Sequence, residues 1–274
     1  KLHDCAAWQV PFMKSLIGIW VALVSLAVSA EEATPGFFPG GMTNIDVRAD
    51  DRAAQAIRKW TDPEVWEEAD PAKAPYYWDF DVVGRHVFLR VIKSSNREGL
   101  LEVWLKKVLE PEYELYKVYR IARFSGKLGP KTAQGDFQAP EGFYYLSRNR
   151  MNPRSNFHLS MNLGYPNEFD RYHGRTGDYL MIHGNNVSVG CYAMTDASIE
   201  QIYTLVDAAL NNGQRVVRVH CFPFEMTKEN LEIFEGSEHE PFWKNLKEGW
   251  DWFEERKSPP DVRVSDGIYT FSVL

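Results

Sequence analysis

Hydrophobic and polar positions alternate with a period of two along three consecutive stretches. In His86–Lys93, Val87, Leu89 and Val91 alternate with Phe88, Arg90 and Ile92. Leu101–Lys107 sets Leu101, Val103 and Leu105 against Glu102, Trp104 and Lys106, and Tyr113–Ile121 continues in the same manner. Successive side chains on a strand point to opposite faces, so this spacing predicts three strands. Asn96–Gly99 is read as a hairpin turn between the first two, and Ser125–Pro130 as a loop. Phe143–Ser147 and Asp178–Ile182 are short strand candidates. The period then changes. Ile199, Ile202, Leu205, Val206 and Ala209 recur at helical spacing, with Thr195-Asp196 as N-cap and Gly213 at the stop. Arg215–Phe222 reads as a strand, with Val217, Val219 and Cys221 on one face. Trp243, Leu246, Trp250 and Phe253 line a last helix, which Ser258-Pro259-Pro260 ends. The tail to Leu274 is expected to be peripheral. Nearer the start, Asp50–Trp60 predicts a short helix with Ala53, Ile57 and Trp60 on one face. Asp62–Pro75 reads as irregular and Ala33–Gly41 as a linker. No internal repeat of solenoid or propeller length is present.

The first 30 residues follow another logic. Lys14 precedes an almost unbroken apolar run, Leu16–Val28, which ends in Val28-Ser29-Ala30 before Glu31-Glu32. This is the build of a secretory signal peptide, with cleavage expected after Ala30 and translation starting at Met13. Lys1–Phe12 is then an upstream extension. A membrane anchor is the competing reading, but it needs about 20 apolar residues. The expected divisions are 1–30, signal peptide with extension; 31–84, linker and short helix; 85–225, catalytic domain; and 226–274, C-terminal helix and tail.

Composition narrows the classes. Hydrophobic residues make up 44% and charged residues 25%, which excludes wholesale disorder. The net charge of -7 speaks against nucleic acid as a partner. Three cysteines exclude a disulfide-stapled miniprotein, and removal of the leader leaves Cys191 and Cys221.

The chemistry concentrates in Met181–Tyr192. A strand ends in His183-Gly184, a tight loop follows, and then comes Ser188-Val189-Gly190-Cys191 before a helix. A cysteine nucleophile works as thiolate, and a nearby imidazole shuttles its proton. Gly190 lets a substrate approach the backbone, and the N–H groups around Gly190 and Cys191 are candidates for an oxyanion hole. Cys221 lies on the apolar face of a strand and is read as structural. His158, His173, His183 and His220 lack zinc-ligand spacing, so no metal and no cofactor are expected. There is no Gly-x-Ser-x-Gly elbow for a serine nucleophile.

Ser188–Cys191 after Ile182-His183-Gly184 resembles the active-site signature of the L,D-transpeptidase (YkuD) family of cell-wall enzymes. The wider sequence is similar to its YafK-type murein transpeptidase branch, through Ser125–Lys131, Gln134–Asp136, Ala139–Tyr144, Ser155–Ser160, Asn162–Asn167 and Asp170-Arg171. The resemblance covers roughly His86–Phe224.

What it implies is a mainly β fold with flanking helices, of the α+β class and YkuD-like. It also implies a cysteine-dependent acyltransferase of peptidoglycan stem peptides, working in the periplasm through a thioester. An amine acceptor gives transpeptidation. Water gives a hydrolase, including one that releases a peptidoglycan-linked lipoprotein. Contact with the membrane is expected only through an uncleaved leader. Cys191 is the implied nucleophile and His183 the implied base, with Ser188 and Gly190 in the supporting loop. His183 stands only eight residues before Cys191, whereas many family members space the pair by well over a dozen. His173-Gly174 also fits the His-Gly pattern, 18 residues before the cysteine. The strand before His183 favours it as the base, which leaves His173 in a polar loop as an orienting or substrate-binding residue. Arg175 is the matching candidate for a substrate carboxylate, and Arg150, Arg154 and Arg171 lie between the same motifs. The third member of a triad is open between Ser188 and a backbone carbonyl. An inactive cell-wall-binding relative and a secreted cysteine peptidase are the competing classes. The intact His183 and Cys191 speak against the first. Against the second, the downstream candidate for a base, His220, sits on a strand beside Cys221.

Overall fold

The structure, a computed structural model, describes residues 52–61, 82–94 and 98–274. The leader, the linker, the irregular stretch 62–75 and the first half of the Asn96–Gly99 turn lie outside the described residues. The elements in chain order are α1 (Arg52–Thr61), β1 (His86–Ile92), β2 (Gly99–Lys106), β3 (Glu114–Ile121), β4 (Gly142–Leu146), β5 (Met151–Asn152), β6 (Ser160–Asn162), α2 (Glu168–Tyr172) and β7 (Met181–His183). Then follow β8 (Tyr192–Ala193), α3 (Asp196–Asn211), β9 (Val217–Phe222), α4 (Lys228–Ile233), α5 (Glu240–Arg256), β10 (Asp261–Ser265) and β11 (Ile268–Ser272). This is the expected α+β arrangement. Among the described residues, no helix is long and apolar enough to cross a membrane.

The strands form a five-stranded sheet in the order β3-β2-β1-β9-β4, a four-stranded sheet β5-β6-β7-β8, and the hairpin β10-β11. β1 sits at the centre of the larger sheet. It pairs antiparallel with β2 and parallel with β9. Six of its seven residues are buried, which explains why both phases of its alternation are apolar or paired. One phase, Val87, Leu89 and Val91, packs with Val217, Val219 and Cys221 against Ile199, Ile202, Leu205 and Val206 of α3, and α1 joins the same core through Ala53, Ala56 and Trp60. The other phase carries Phe88, which meets Phe253 of α5 and Trp104. Each such fully buried side chain contributes roughly 1.5–3 kcal/mol. Arg90 belongs to this second phase. It is only 5% exposed, bonds Glu102 at 2.6 Å and Glu254 at 2.5 Å, and lies 4.0 Å from the ring centroid of Trp250.

A fully buried ion pair anchors the loop that runs beneath the site. Lys93 Nζ lies 2.8 Å from Glu141 Oε1, and both side chains are wholly inaccessible. Lys93 also donates to the carbonyls of Gly129 and Ala139, while Glu141 accepts from the Gly129 N–H and from Trp243 Nε1. Every charge in this knot therefore has hydrogen-bond partners, the condition for burying ions without a large penalty.

Two expectations change. The tail is not peripheral: β10 and β11 form a hairpin whose Tyr269 is 2% exposed and stacks on Phe169 at 4.2 Å. Asn245 of α5 binds both its N–H and its carbonyl. The strand expected over Asp178–Ile182 starts only at Met181, because Tyr179 has φ of 53°, a left-handed conformation that no strand accommodates. His173 lies outside the helix as expected, in the turn that follows α2, as its C-cap; α2 opens with a capping box between Asn167 and Asp170.

Candidate active site

β7 and β8 run parallel, with Ile182 opposite Tyr192 and His183 opposite Ala193. Cys191 stands just before β8, and its Sγ reaches the backbone of Tyr179 and Met181, where β7, the strand of His183, begins. Gly190 makes this approach possible. Its φ is 125°, and a Cβ there would meet Leu180 Cδ1 at 3.1 Å and the Gln138 carbonyl at 3.2 Å. The sequence signature thus has a local steric cause.

The thiol of Cys191 is half-buried. Its Sγ accepts the Met181 N–H at 3.4 Å and donates to the Tyr179 carbonyl at 3.5 Å. Burial pushes its pKa above the ordinary thiol value, while the Met181 N–H and the positive charge of Lys131 pull it back down. His183 is 2% exposed and lies against the Phe157 ring, 4.7 Å between centroids. Burial pushes the imidazole below its ordinary value, with a smaller opposite pull from the Gly184 carbonyl. Both directions favour the uncharged forms.

The partner of His183 settles its tautomer. Nδ1 lies 2.5 Å from the Gly184 carbonyl oxygen and donates to it, which leaves Nε2 as the basic nitrogen. Ser188 is engaged elsewhere. Its hydroxyl donates to the Cys191 carbonyl at 2.6 Å and accepts the Gly190 N–H at 3.2 Å, closing the loop before the thiol. Of the two proposed oxyanion donors, Gly190 N–H is therefore already held within the loop, while Cys191 N–H has no intramolecular acceptor among the described residues.

His173 and Arg175 are grouped with α2 and the C-terminal hairpin. His173 Nε2 donates to the Gly267 carbonyl at 2.8 Å and the ring lies against Phe169. Arg175 Nη1 bonds Asp170 at 2.8 Å, and its guanidinium, 9% exposed, lies over Phe169 and Phe242. Cys221 is a free thiol buried in the core, as is expected of a structural cysteine, and Cys191 is free as well.

Three contributors were not singled out from sequence. Lys131 is 4% exposed, held by Asp136 at 2.5 Å and by the Ala133 carbonyl, and its charge reaches Cys191. It stands at the end of the Ser125–Lys131 motif, so its signal was present. Phe157, which flanks His183, lies within the Ser155–Ser160 motif. The Gly184 carbonyl has no side-chain signal at all. A groove of about 460 Å³ reaches Tyr179 and Met181, the two residues whose backbones touch Sγ, and Arg150, Asn152 and Asn162 line it further out. Among the described residues, no group of three or more His, Cys, Asp or Glu is placed to hold a metal.

Residues 113–219 match the L,D-transpeptidase catalytic domain, YkuD. Over 191 residues, 70% of this chain and 76% of the relative, the sequence is 43% identical to YafK of Escherichia coli strain K12, provisionally named an L,D-transpeptidase. YafK of Escherichia coli O157:H7 matches to the same extent. Among solved structures, the helical cell shape determining protein Pgp2 of Campylobacter jejuni, as its K307A mutant, aligns with a TM-score of 0.40 and 19% identity, over 63% of this chain and 59% of that one. Bd1075 of Bdellovibrio bacteriovorus aligns with a TM-score of 0.33 and 15% identity, over 62% of each chain.

Proposed function

Because the chain belongs to the L,D-transpeptidase (YkuD) family, we propose that it is an exported acyltransferase of peptidoglycan stem peptides with Cys191 as nucleophile and His183 as base. The thiol proton passes to His183 Nε2 as Sγ bonds to the carbonyl carbon of the stem's diamino acid. The developing oxyanion is met by Cys191 N–H, the donor that the folded chain leaves open. The C–N bond then breaks, and the imidazolium returns its proton to the departing amine. A thioester remains. An acceptor amine attacks it, His183 takes the amine proton, and the C–S bond breaks to regenerate the thiol. Water in place of the amine makes the same site a hydrolase, including one that frees a peptidoglycan-linked lipoprotein.

The observation that carries this reading is the Nδ1 bond of His183 to Gly184. It leaves Nε2 as the nitrogen free to take a proton, on the strand whose Met181 N–H meets the Cys191 thiol. Lys131 favours the thiolate by charge, and Ser188 fixes the backbone on which the thiol is mounted. His173 and Arg175, each bonded to protein through one nitrogen, act in this proposal by holding α2 in place.

The experiment is mass spectrometry of purified muropeptides incubated with the protein lacking residues 1–30. New crosslinks identify a transpeptidase and released peptide identifies a hydrolase. An unchanged muropeptide profile, with protein that is folded, rejects the enzyme reading in favour of a cell-wall-binding one.

A further inference from the structure

The groove that reaches Tyr179 and Met181 shares Arg150 and Gly164 with a second cleft, of about 450 Å³, between the β4–β9 face of the large sheet and the C-terminal hairpin. That volume suits a small molecule or the end of a peptide. We propose that this second cleft binds the head group of an amino acid, its carboxylate on Arg218, Arg171 and Arg150 and its amine facing Glu168.

Two independent observations support it. The first is the set of unused donors. Arg150 gives only Nη1 to protein, to the carbonyls of Tyr145 and Leu163. Arg171 gives only Nη1, to the Pro166 carbonyl. Arg218 is paired with Asp261 at 3.6 Å, a long contact that leaves Nε and Nη1 open, and Asp261 is shared with Arg263. Three guanidiniums on one cleft therefore keep N–H groups without a partner among the described residues, and a guanidinium fork is the natural partner of a planar carboxylate.

The second observation is His220 in the cleft wall. It is 1% exposed, and neither ring nitrogen has a hydrogen-bond partner. Its ring lies between Phe88 and Phe143, each 4.7 Å between centroids. Burial and the neighbouring Arg218 and Arg90 keep it uncharged, so it has one donor and one acceptor to offer. Buried polar groups are almost always satisfied. An imidazole with both positions empty, at the wall of a cleft, marks the place of a polar ligand.

Glu168 decides between anions. It lies on the rim with no partner among the described residues. A carboxylate there repels a phosphate dianion and attracts an ammonium, which an amino-acid head group supplies. Such a head group comes either from a free amino acid or from the free end of a diamino acid in a stem peptide. The inference does not depend on thiol chemistry, because the cleft is tested on protein that lacks the thiol.

The test is NMR of the His220 imidazole in the Cys191→Ala protein, with the signal assigned by its loss in His220→Phe. The protein is titrated with free lysine, with a tripeptide ending in lysine, and with inorganic phosphate. Lysine and the tripeptide are expected to move the His220 signal saturably, while phosphate leaves it in place. A shift with the tripeptide alone supports the cleft and identifies a stem peptide as the source. Arg171→Gln, at an exposed position that leaves the core untouched, is expected to weaken binding by roughly tenfold or more. Glu168→Gln is expected to weaken lysine binding while letting phosphate enter. Phosphate acting as strongly as lysine on the unmodified cleft, unchanged affinity in Arg171→Gln, or no shift with lysine or tripeptide would each overturn the inference.

Discussion

His183 is tied to its own neighbour: the ring Nδ1–H donates to the Gly184 carbonyl at 2.5 Å, and Gly184 has no room for a side chain, since a Cβ there would stand 2.7 Å from Asp196 Oδ1. The carbonyl that orients the imidazole is therefore itself fixed by the start of α3. In the proposed mechanism a backbone group does what a carboxylate or hydroxyl side chain does in other triads.

Replacement of the two reacting side chains should separate cleanly from replacement of the alternative histidine. Cys191→Ala should abolish thioester formation in a folded protein. His183→Ala should slow acylation by roughly 10²–10⁴-fold, the usual loss with a general acid–base. His173→Ala should act mainly on stability, because its ring ties α2 to the turn at Gly267. Muropeptide turnover and thermal melting of the three variants check this. A large loss of turnover in well-folded His173→Ala, with little in His183→Ala, reverses the assignment of the base.

The pH dependence follows from the two opposed shifts. His183 has its pKa lowered by burial, so it stays unprotonated and competent as a base to below pH 6.5, its ordinary value. The acid limb of turnover should therefore fall below that of a solvent-exposed histidine. Cys191 has its pKa raised, so labelling by an alkylating reagent should grow only at alkaline pH. Lys131 lowers the thiol pKa by its charge. Lys131→Met should move the labelling curve to still higher pH, and Lys131→Arg should restore it. A labelling curve that Lys131→Met leaves in place removes Lys131 from the electrostatics of the thiol.

Lys93→Met should be among the costly substitutions. It leaves Glu141 wholly buried without its counter-charge, a loss of about 3–5 kcal/mol. Denaturant unfolding measures it. The double variant Lys93→Met with Glu141→Leu should recover part of the loss, and a single variant as stable as the parent would show that the pair contributes nothing net.

Export predicts a defined new N-terminus. N-terminal sequencing of the protein from the extracytoplasmic fraction should begin at Glu31, after Val28-Ser29-Ala30. Recovery of Met13 or Lys1 at the end of a membrane-bound protein would make the apolar run an anchor instead.

The long periodic elements were legible before the structure, because local pattern and tertiary burial agree in them. Ile199, Ile202, Leu205 and Val206 give α3 its 3.6-residue stripe and bury it, and Val217, Val219 and Cys221 do the same for β9 with a period of two. Short elements were not legible. β5, β6 and β8 contain two or three residues each, too few to show a period. They exist because neighbouring strands pair with them. The C-terminal hairpin had a signal that was passed over: Asp266-Gly267 between Val262-x-Val264 and Tyr269-x-Phe271 is a two-residue turn between alternating strands. At the site, the residues that carry side-chain chemistry stood out, while the partners of His183 and Cys191 that are backbone atoms did not. Nor could the sequence reveal that Arg175 is held by Asp170, since the capping box that buries Asp170 emerges only when α2 packs.

Parallel neighbours such as β7 and β8 are ordinarily joined by a crossover of a dozen or more residues. Here only eight residues, Gly184–Cys191, join them. The pairing of β7 with β8 sets where Cys191 stands relative to the strand of His183, so in the proposed mechanism distance along the chain and distance in space are decoupled. Asn185, Asn186 and Val187 at the loop's outer bend are exposed. Residues added there would lengthen the path from His183 to Cys191 and leave the pairing of β7 with β8 in place. The eight-residue step from His183 to Cys191 is then a length of slack, not a measure of how the two side chains stand in space.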